Sequence, residues 1–180
     1  MMPEIRESHL IRDVLEVDLN SHADDRGRFT EIFRKEWFPN RDWHDVQSNR
    51  SFSTPGVLRG LHYHHKQVDY WYVMKGTIRA SLVDLRRSSP TYLSSQSLEL
   101  SDESDKGLFI PTGVAHGFAA LTAATLIYIV DQYYDGEDEF GVLWSDPALD
   151  IDWGIDKPLL SPRDLVNPLL ADIPLSDLPD

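Results

Sequence analysis

The run YWYVMKGTIRASLVDLR, residues 70–86, places the strongest constraint on the fold. It predicts two strands joined at a central Lys-Gly pair, with the glycine supplying the turn. In its second half Ile78, Ala80 and Leu82 alternate with polar residues, and this period of two gives a strand one apolar face. The runs SSQSLELS, GLFIPTG and TLIYIVDQYY follow at short spacing, separated by Ser, Asp, Gly and Pro. Many short strands with turn signals between them predict an all-β sandwich or barrel.

Helical signals are few, so we expect only short helical turns beside the strands. The segment RKEWF fits one turn, and SPRDLVNPLLADI begins with a Ser-Pro pair suited to the first turn of a short helix. With 180 residues, the chain fits a single domain over residues 1–180. The tail IPLSDLPD is rich in Pro and Asp, and we expect residues from about 171 to 180 to be loosely ordered.

Composition argues against several classes of function. The formal net charge of -13 repels nucleic acid and anionic membranes, so we expect neither as a partner. The sequence has no cysteine, which excludes disulfides and thiolate metal sites and favours a cytoplasmic location. The N-terminus lacks the basic and apolar segments of a signal peptide, and no apolar run approaches the length of a membrane helix. If the ligand is itself an anion, the site must collect its few cations locally.

Three histidines within four positions begin the motif GLHYHHKQVD. His62 and His64 are two positions apart and would share one face of a strand. Asp69 follows, and His116 comes after the Pro-x-Gly turn of IPTGVAHGF. This pattern resembles the two-part signature of the cupin superfamily, in which histidines and an acid converge inside a small β-barrel, often on a metal. The resemblance implies a cupin-type β-barrel or jelly roll.

A more particular resemblance extends over nearly the whole chain. In order, the segments that carry it are DDRGRFTEIF, QSNRSFSTPGVLRGLHY, VDLRRSSPTY, IPTGVAHGFAAL, YIVDQYY, GVLWSDPALDIDW and LLSPRD. Together they resemble the dTDP-4-dehydrorhamnose 3,5-epimerases. That resemblance implies a homodimeric enzyme of deoxysugar biosynthesis, of the dTDP-rhamnose type, that acts on a nucleotide-linked sugar.

The resemblance also implies a base, an acid and a residue that orients the base. The family's substrate is a nucleotide-linked 4-keto-6-deoxyhexose, whose carbonyl acidifies the hydrogens on both neighbouring carbons. One group removes a proton and another returns a proton to the opposite face. The base aligns with His62, its carboxylate partner with Asp164 of SPRD, and the acid with Tyr128 of LIYIV. Along TLIYIVDQYY the tyrosine shares a face with Leu126 and Tyr134, so it would point into the barrel.

A set of substrate contacts is implied in the same way. It comprises Arg26, Phe29, Glu31, Gln47, Asn49, Arg59, His116, Tyr134, Glu139 and Arg163. Arg59 would pair with the diphosphate of a thymidine nucleotide, and Phe29 would lie near its base. Strict alternation puts Arg59 on the strand face opposite His62, so Gly60 would mark a bulge, or the strand would begin there.

One position departs from the family. The family places a lysine, which steadies the negative charge of the enolate, where this chain has Asp69. In one interpretation His62 is the base, His116 and Lys66 help the oxyanion, and no cofactor is needed. In a second, a divalent metal replaces the lysine and is bound by His62, His64, Asp69 and His116, so that His62 is a ligand instead of the base. In a third, the chain is a non-catalytic sugar-binding cupin. We favour the first interpretation.

Overall fold

The computed structural model describes residues 2–180, and regular structure in that range is almost entirely β-strand. The strands are β1 (Glu4–Glu7), β2 (Leu15–Asp18), β3 (Ser21–Asp24), β4 (Gly27–Thr30), β5 (Gln47–Ser53), β6 (Leu58–Tyr63), β7 (Asp69–Lys75), β8 (Thr77–Asp84), β9 (Ser95–Ser101), β10 (Lys106–Ile110), β11 (Val114–Ala120), β12 (Ala124–Val130) and β13 (Phe140–Gly141). Short 3₁₀ turns lie at Lys35–Trp37, Gly136–Asp138 and Leu170–Asp172. Within residues 2–180 no helix is long and apolar enough to cross a membrane.

The predicted all-β class is confirmed, and so is the helical turn in RKEWF. The SPRD segment, for which the sequence suggests a short helix, forms hydrogen-bonded turns instead. The amide of Leu165 donates to the carbonyl of Ser161 at 3.2 Å, and the amide of Val166 donates to that of Arg163 at 3.0 Å. These turns carry Asp164 into the interior, where its side chain is buried.

Two antiparallel sheets face each other, with β3 and β4 forming a separate hairpin. One sheet has the order β1-β2-β10-β7-β12-β5, and the other has the order β13-β6-β11-β8-β9. Side chains from both sheets meet in the main core, with Trp71 and Leu126 from the first sheet packed among Ile78, Leu82 and Phe118 from the second. The predicted apolar face of β8 is therefore buried, and the jelly-roll arrangement of a cupin is confirmed.

The connection between β7 and β8 differs from the sequence prediction. β7 pairs with β10 and β12, whereas β8 pairs with β9 and β11, so these two strands do not form a hairpin. Instead the chain crosses from one sheet to the other at Gly76, which has φ 78°. A Cβ atom there would lie 2.2 Å from the carbonyl oxygen of Ala123, so the crossing requires glycine.

The early aromatic residues cover the outer face of the six-stranded sheet. Trp37, Phe38 and Trp43 are all buried and pack with Tyr70 and Phe109. The rings of Phe38 and Phe109 stack with centroids 4.7 Å apart. These aromatics are thus covered within one chain, and they do not by themselves call for a partner subunit.

The C-terminal tail covers the outer face of the other sheet, which corrects the expectation of a loosely ordered end. Ile173 and Leu178 are buried and belong to a cluster with Tyr63 and Trp153. The hydroxyl of Tyr63 donates to the carbonyl of Asp177 at 2.9 Å. Pro and Asp separate the apolar residues of the tail, so the sequence shows no periodic face there, although Ile173 and Leu178 are buried by the barrel while Leu175 is exposed.

Candidate functional site

A cavity of about 550 Å³ lies between the two sheets. Its walls come from β5, β6, β7, β11 and β12, and from the segments 134–139 and 161–164. Twelve of the residues singled out in the sequence line it: Gln47, Asn49, Arg59, His62, His64, Asp69, His116, Tyr128, Tyr134, Glu139, Arg163 and Asp164. The structure therefore brings together motifs that are more than a hundred residues apart in the chain.

A β-bulge lets Arg59 and His62 face the same cavity. In the pairing of β6 with β11, His62 lies opposite His116 and Arg59 lies opposite Phe118, so β6 has one extra residue between the two pairs. The extra residue brings to one face two side chains that strict alternation would separate. The predicted bulge at Gly60 is therefore confirmed. Gly60 has φ 127°, and a Cβ atom there would lie 2.6 Å from the backbone of the facing strand, so glycine is required.

His62 and Asp164 form a hydrogen-bonded pair at the cavity wall. Nε2 of His62 lies 2.6 Å from Oδ1 of Asp164, and the hydroxyl of Ser161 donates to Oδ2 at 2.9 Å. Burial alone would raise the pKa of Asp164, but the hydrogen bonds from His62 and Ser161 and the charge of Arg163 lower it below its usual value. Because an ionised carboxylate can only accept, Nε2 carries the proton and Nδ1 keeps its lone pair. The pair thus presents Nδ1 of His62 as a base.

Tyr128 stands on the opposite sheet. It lies on β12, between Trp71 of β7 and Asn49 of β5, and lines the cavity. Burial, and then the carboxylates of Asp69 and Glu139, raise the pKa of its hydroxyl above the ordinary value for tyrosine. The phenol therefore stays protonated at neutral pH and can donate a proton. Since His62 belongs to the five-stranded sheet, the two groups approach a ligand from opposite sides.

Two arginines supply positive charge to the cavity. Nε of Arg59 donates to the hydroxyl of Ser53 at 3.1 Å, which anchors the side chain beside β5. Arg163 is held by Glu139, with Nη1 donating to Oε2 at 2.5 Å and Nη2 to the backbone carbonyl at 3.1 Å. In a chain with a net charge of -13, these guanidinium groups provide the local cations that an anionic ligand requires.

Polar groups of β5 form another part of the wall. Nε2 of Gln47 donates to Oδ1 of Asn49 at 2.9 Å, and its Oε1 accepts from the backbone amide of Tyr134 at 3.2 Å. The ring of Tyr134 is largely exposed. An exposed ring beside two amide side chains provides a stacking surface and polar contacts for a planar ligand.

Three predicted substrate contacts lie outside this cavity. Arg26 and Phe29 are on the β3–β4 hairpin, where Arg26 pairs with Asp24 and Phe29 is 70% exposed. Glu31 follows the hairpin and pairs with Arg34 at 2.6 Å. None of these three side chains lines the cavity of its own chain.

A buried cluster of His64, Asp69 and His116 lies deeper in the same cavity. One potential ligand atom from each residue lies within 4.8 Å of the others. Nδ1 of His64 is 2.7 Å from the carbonyl of Asp138, and Nδ1 of His116 is 2.9 Å from that of Val114. Each Nδ1 therefore donates its proton to a carbonyl, and in the neutral ring Nε2 keeps a lone pair. Burial lowers the pKa of His116 to about 4, so this ring is neutral at pH 7.

His62 does not belong to this cluster. The sequence places His62 and His64 on one strand face, but β6 ends at Tyr63, so alternation does not extend to His64. The ring of His62 turns to Asp164, whereas that of His64 turns to the backbone of Asp138. The base and the potential metal ligands are thus different residues. A metal bound by His64, Asp69 and His116 would therefore not prevent His62 from acting as the base.

Comparison with known proteins identifies the family. A sequence model described as dTDP-4-dehydrorhamnose 3,5-epimerase matches residues 8–172. The chain is 39% identical over 162 residues to a dTDP-4-dehydrorhamnose 3,5-epimerase of Shigella flexneri, covering 86% of this chain and 90% of that protein. The chain belongs to the dTDP-4-dehydrorhamnose 3,5-epimerase family. It is therefore an epimerase, an enzyme of the isomerase class.

Solved structures of dTDP-sugar epimerases share the whole fold. The crystal structure of a dTDP-6-deoxy-D-glucose-3,5-epimerase from Legionella pneumophila, in complex with dTDP-4-keto-L-rhamnose, has a TM-score of 0.92 and 35% identity, with 98% of this chain and 97% of that chain covered. A 3′-monoepimerase from Streptomyces bikiniensis, in complex with dTDP-quinovose, has a TM-score of 0.90 and 33% identity, with coverage of 97% and 92%. Proteins that differ in the number of carbons they invert thus have the same fold as this epimerase.

Three further residues, Gln67, Trp71 and Asp138, shape the site of this epimerase. Gln67 and Trp71 both donate to the carboxylate of Asp69, at 2.8 Å and 3.0 Å. The carboxylate of Asp138 accepts from the backbone amides of residues 65, 66 and 67 and thereby fixes the loop that carries His64. Trp71 follows from alternation on β7, since it is two positions after Asp69, but Asp138 comes 63 residues after the end of that strand and has no local pattern.

Proposed function

We propose that the chain epimerises a nucleotide-linked 4-keto-6-deoxyhexose of the dTDP-4-dehydro-6-deoxyglucose type, as a step in deoxysugar biosynthesis. The observation that carries the proposal is the placement of His62, oriented by Asp164, and Tyr128 on opposite sheets of one cavity. Epimerisation requires a base on one face of the sugar and an acid on the other, and these two groups meet that requirement.

The chemistry begins at Nδ1 of His62, which takes a proton from a carbon next to the C4 carbonyl. The electrons of the C–H bond form a carbon–carbon double bond, and the carbonyl π electrons move to oxygen, giving an enolate. The hydroxyl of Tyr128 then gives a proton to the opposite face of the same carbon, and the carbonyl re-forms. His62 is left with one proton more and Tyr128 with one fewer, and exchange with water restores both groups.

Recognition of the nucleotide is supported by the cations of the cavity. Arg59 and Arg163 present guanidinium groups suited to phosphate oxygens, and the amides of Gln47 and Asn49 lie beside the exposed ring of Tyr134. The solved relatives include complexes with dTDP-4-keto-L-rhamnose and dTDP-quinovose. We therefore infer a thymidine diphosphate sugar as the ligand.

We further propose that the enzyme is a cytoplasmic homodimer. β5 is an edge strand that pairs only with β12 among the described residues, and Phe52 on its outer face is 58% exposed. Exposed strand edges and aromatic side chains are commonly covered by a partner. In such a dimer the β3–β4 hairpin, with Arg26, Phe29 and the adjacent Glu31, would reach the cavity of the partner, since it does not reach its own.

Hydrogen exchange tests the proposed reaction. The enzyme is incubated in heavy water with dTDP-4-keto-6-deoxyglucose, and deuterium is measured separately at C3 and C5 by NMR or mass spectrometry. We expect uptake at one carbon at least, and loss of uptake in His62→Ala. Exchange no faster than in the absence of enzyme would reject the proposal for this substrate and favour a non-catalytic binding module.

A further inference from the structure

We propose that His64, Asp69 and His116 bind a divalent transition-metal ion, at a site that leaves His62 free as the base. Binding of the ion follows from the geometry of the three side chains alone. Its role in turnover rests on the proposed epimerase function, because the ion would stabilise the enolate that this reaction forms.

The donor atoms are oriented for a cation. Both histidines direct Nδ1 to a backbone carbonyl, which leaves two Nε2 lone pairs for the cavity. Nε2 of His116 lies 3.7 Å from Oδ2 of Asp69. In a tetrahedral zinc site with bonds of about 2.0–2.1 Å, neighbouring ligand atoms are about 3.4 Å apart. The ligand atoms of the three residues lie within 4.8 Å of one another, so they would draw together by up to about 1.4 Å on an ion.

Groups behind the ligands have the pattern found around bound metals. Metal-bound histidines donate their second nitrogen to a carbonyl or carboxylate, and metal-bound carboxylates accept further hydrogen bonds. Here Asp138 and Val114 supply the carbonyls, and Gln67 and Trp71 donate to the two oxygens of Asp69. Each oxygen of that carboxylate retains a second lone pair.

The charge balance of the cluster also favours a cation. Two lone pairs and a carboxylate converge in a buried space, an arrangement that is unfavourable without positive charge between them. Over residues 2–180, neither the hydrogen bonds nor the ion pairs of these three side chains involve Lys or Arg. Lys66, the lysine nearest in sequence, has its ammonium 3.4 Å from Asp135 and does not line the cavity.

The donor set restricts the type of ion. Two imidazoles and one carboxylate suit Zn²⁺, Mn²⁺, Fe²⁺, Co²⁺ or Ni²⁺, whereas Ca²⁺ and Mg²⁺ prefer oxygen ligands. Three protein ligands leave a position for a substrate oxygen, as in catalytic zinc sites. When bound, the ion would act as a Lewis acid on the C4 carbonyl oxygen and stabilise the enolate charge.

Metal binding is tested separately from turnover. Untagged protein is stripped with a chelator and titrated with Co²⁺, whose visible absorption reports on ligand geometry, and zinc content after reconstitution is measured by elemental analysis. We expect one ion per chain, and an affinity at least about 100-fold weaker in His64→Ala, consistent with the large effects of changes around metal ligands. His64→Gln is the milder second variant, and circular dichroism checks that both variants fold.

Two control variants make the test specific. His65→Ala removes the neighbouring exposed histidine, whose ring lies outside the cavity, and should bind Co²⁺ like the wild type. His62→Ala should also keep metal binding while losing hydrogen exchange. Equal Co²⁺ affinity in wild type and His64→Ala, or its loss in His62→Ala, would overturn the assignment of the ligands.

The outcomes separate the two proposals. If the stripped enzyme exchanges hydrogen at the full rate and binds no Co²⁺ at this site, the metal inference fails and the epimerase stands. If the ion binds at the three ligands but no 4-keto sugar nucleotide exchanges hydrogen, the metal site stands and the proposed reaction fails.

Discussion

Replacement of Asp164 by Asn tests how the base is oriented. The carboxylate is buried, accepts from Nε2 of His62 at 2.6 Å and accepts from the hydroxyl of Ser161 at 2.9 Å. In Asp164→Asn we expect the hydroxyl of Ser161 to keep donating to the amide oxygen, so that the NH₂ group faces His62 and Nε2 has to accept. The ring proton then moves to Nδ1, and the lone pair needed for proton abstraction is lost.

The structure sets the size of this effect. A hydrogen bond to a charged group contributes about 1.5–3 kcal/mol, and about 1.4 kcal/mol corresponds to a tenfold change in rate. We therefore expect kcat for epimerisation to fall about 10- to 150-fold, with KM nearly unchanged because Asp164 stabilises charge only as His62 takes the proton. Steady-state kinetics with a coupled reductase, together with the rate of deuterium uptake, measure both constants.

A double variant tests the tautomer argument. Removing the hydroxyl in Ser161→Ala/Asp164→Asn lets the amide turn its oxygen to His62, so this variant should be more active than Asp164→Asn alone. If Asp164→Asn retains wild-type kcat within about threefold, or the double variant is no faster than the single one, the reasoning about His62 is wrong.

The same substitution has a predicted pH dependence in stability. The folded state lowers the pKa of Asp164 despite burial, because His62 and Ser161 donate to the carboxylate. A lowered pKa gives stability that is present above the unfolded value of about 3.9 and is lost as pH falls through the folded value. The stability difference between wild type and Asp164→Asn, measured by urea unfolding, should therefore shrink below about pH 4.

Further predictions concern the acid and the assembly. Tyr128→Phe should lose net epimerisation by about 100-fold or more yet keep hydrogen exchange, because abstraction at His62 continues; normal epimerisation would instead make Tyr134 the candidate acid. Light scattering at micromolar concentration should show a dimer, and a monomer would contradict the proposed assembly. Arg26→Ala and Phe29→Ala should each raise KM about tenfold by loss of a substrate contact. Arg87→Ala, which removes an ion pair with Asp180 outside the cavity, should leave KM unchanged.

The parts of the fold that the sequence predicts are those set by neighbours along the chain. Alternation on β8 identifies Ile78, Ala80 and Leu82 as buried, and all three are fully buried. The mismatch in register between Arg59 and His62 correctly points to a bulge, because the sequence has a glycine between them. Each of these inferences depends on a repeat or a break within a few residues.

Features that depend on contacts between distant parts of the chain are harder to predict from the sequence. The crossing at Gly76 depends on which sheet each strand joins, and burial of the tail depends on the outer face of a sheet formed much earlier in the chain. In the site, the pattern of histidines correctly suggests a shared cavity, but the choice of partner for each ring depends on Asp138 and Asp164. Those residues are 74 and 102 positions away from the histidines they bind.

Asp69 presents the sharpest energetic problem for an enolate mechanism in this cavity. Two unit negative charges about 4 Å apart repel each other by about 4 kcal/mol at an effective dielectric constant of 20, which corresponds to a rate about a thousandfold lower. Hydrogen bonds from Gln67 and Trp71 hold the carboxylate in place but do not cancel its charge, because both donors are neutral. A divalent ion between Asp69 and the two Nε2 atoms would change the local charge from -1 to +1 and turn this repulsion into an attraction for the enolate oxygen. A carboxylate at position 69 thus becomes compatible with enolate chemistry when the histidines beside it bind a metal.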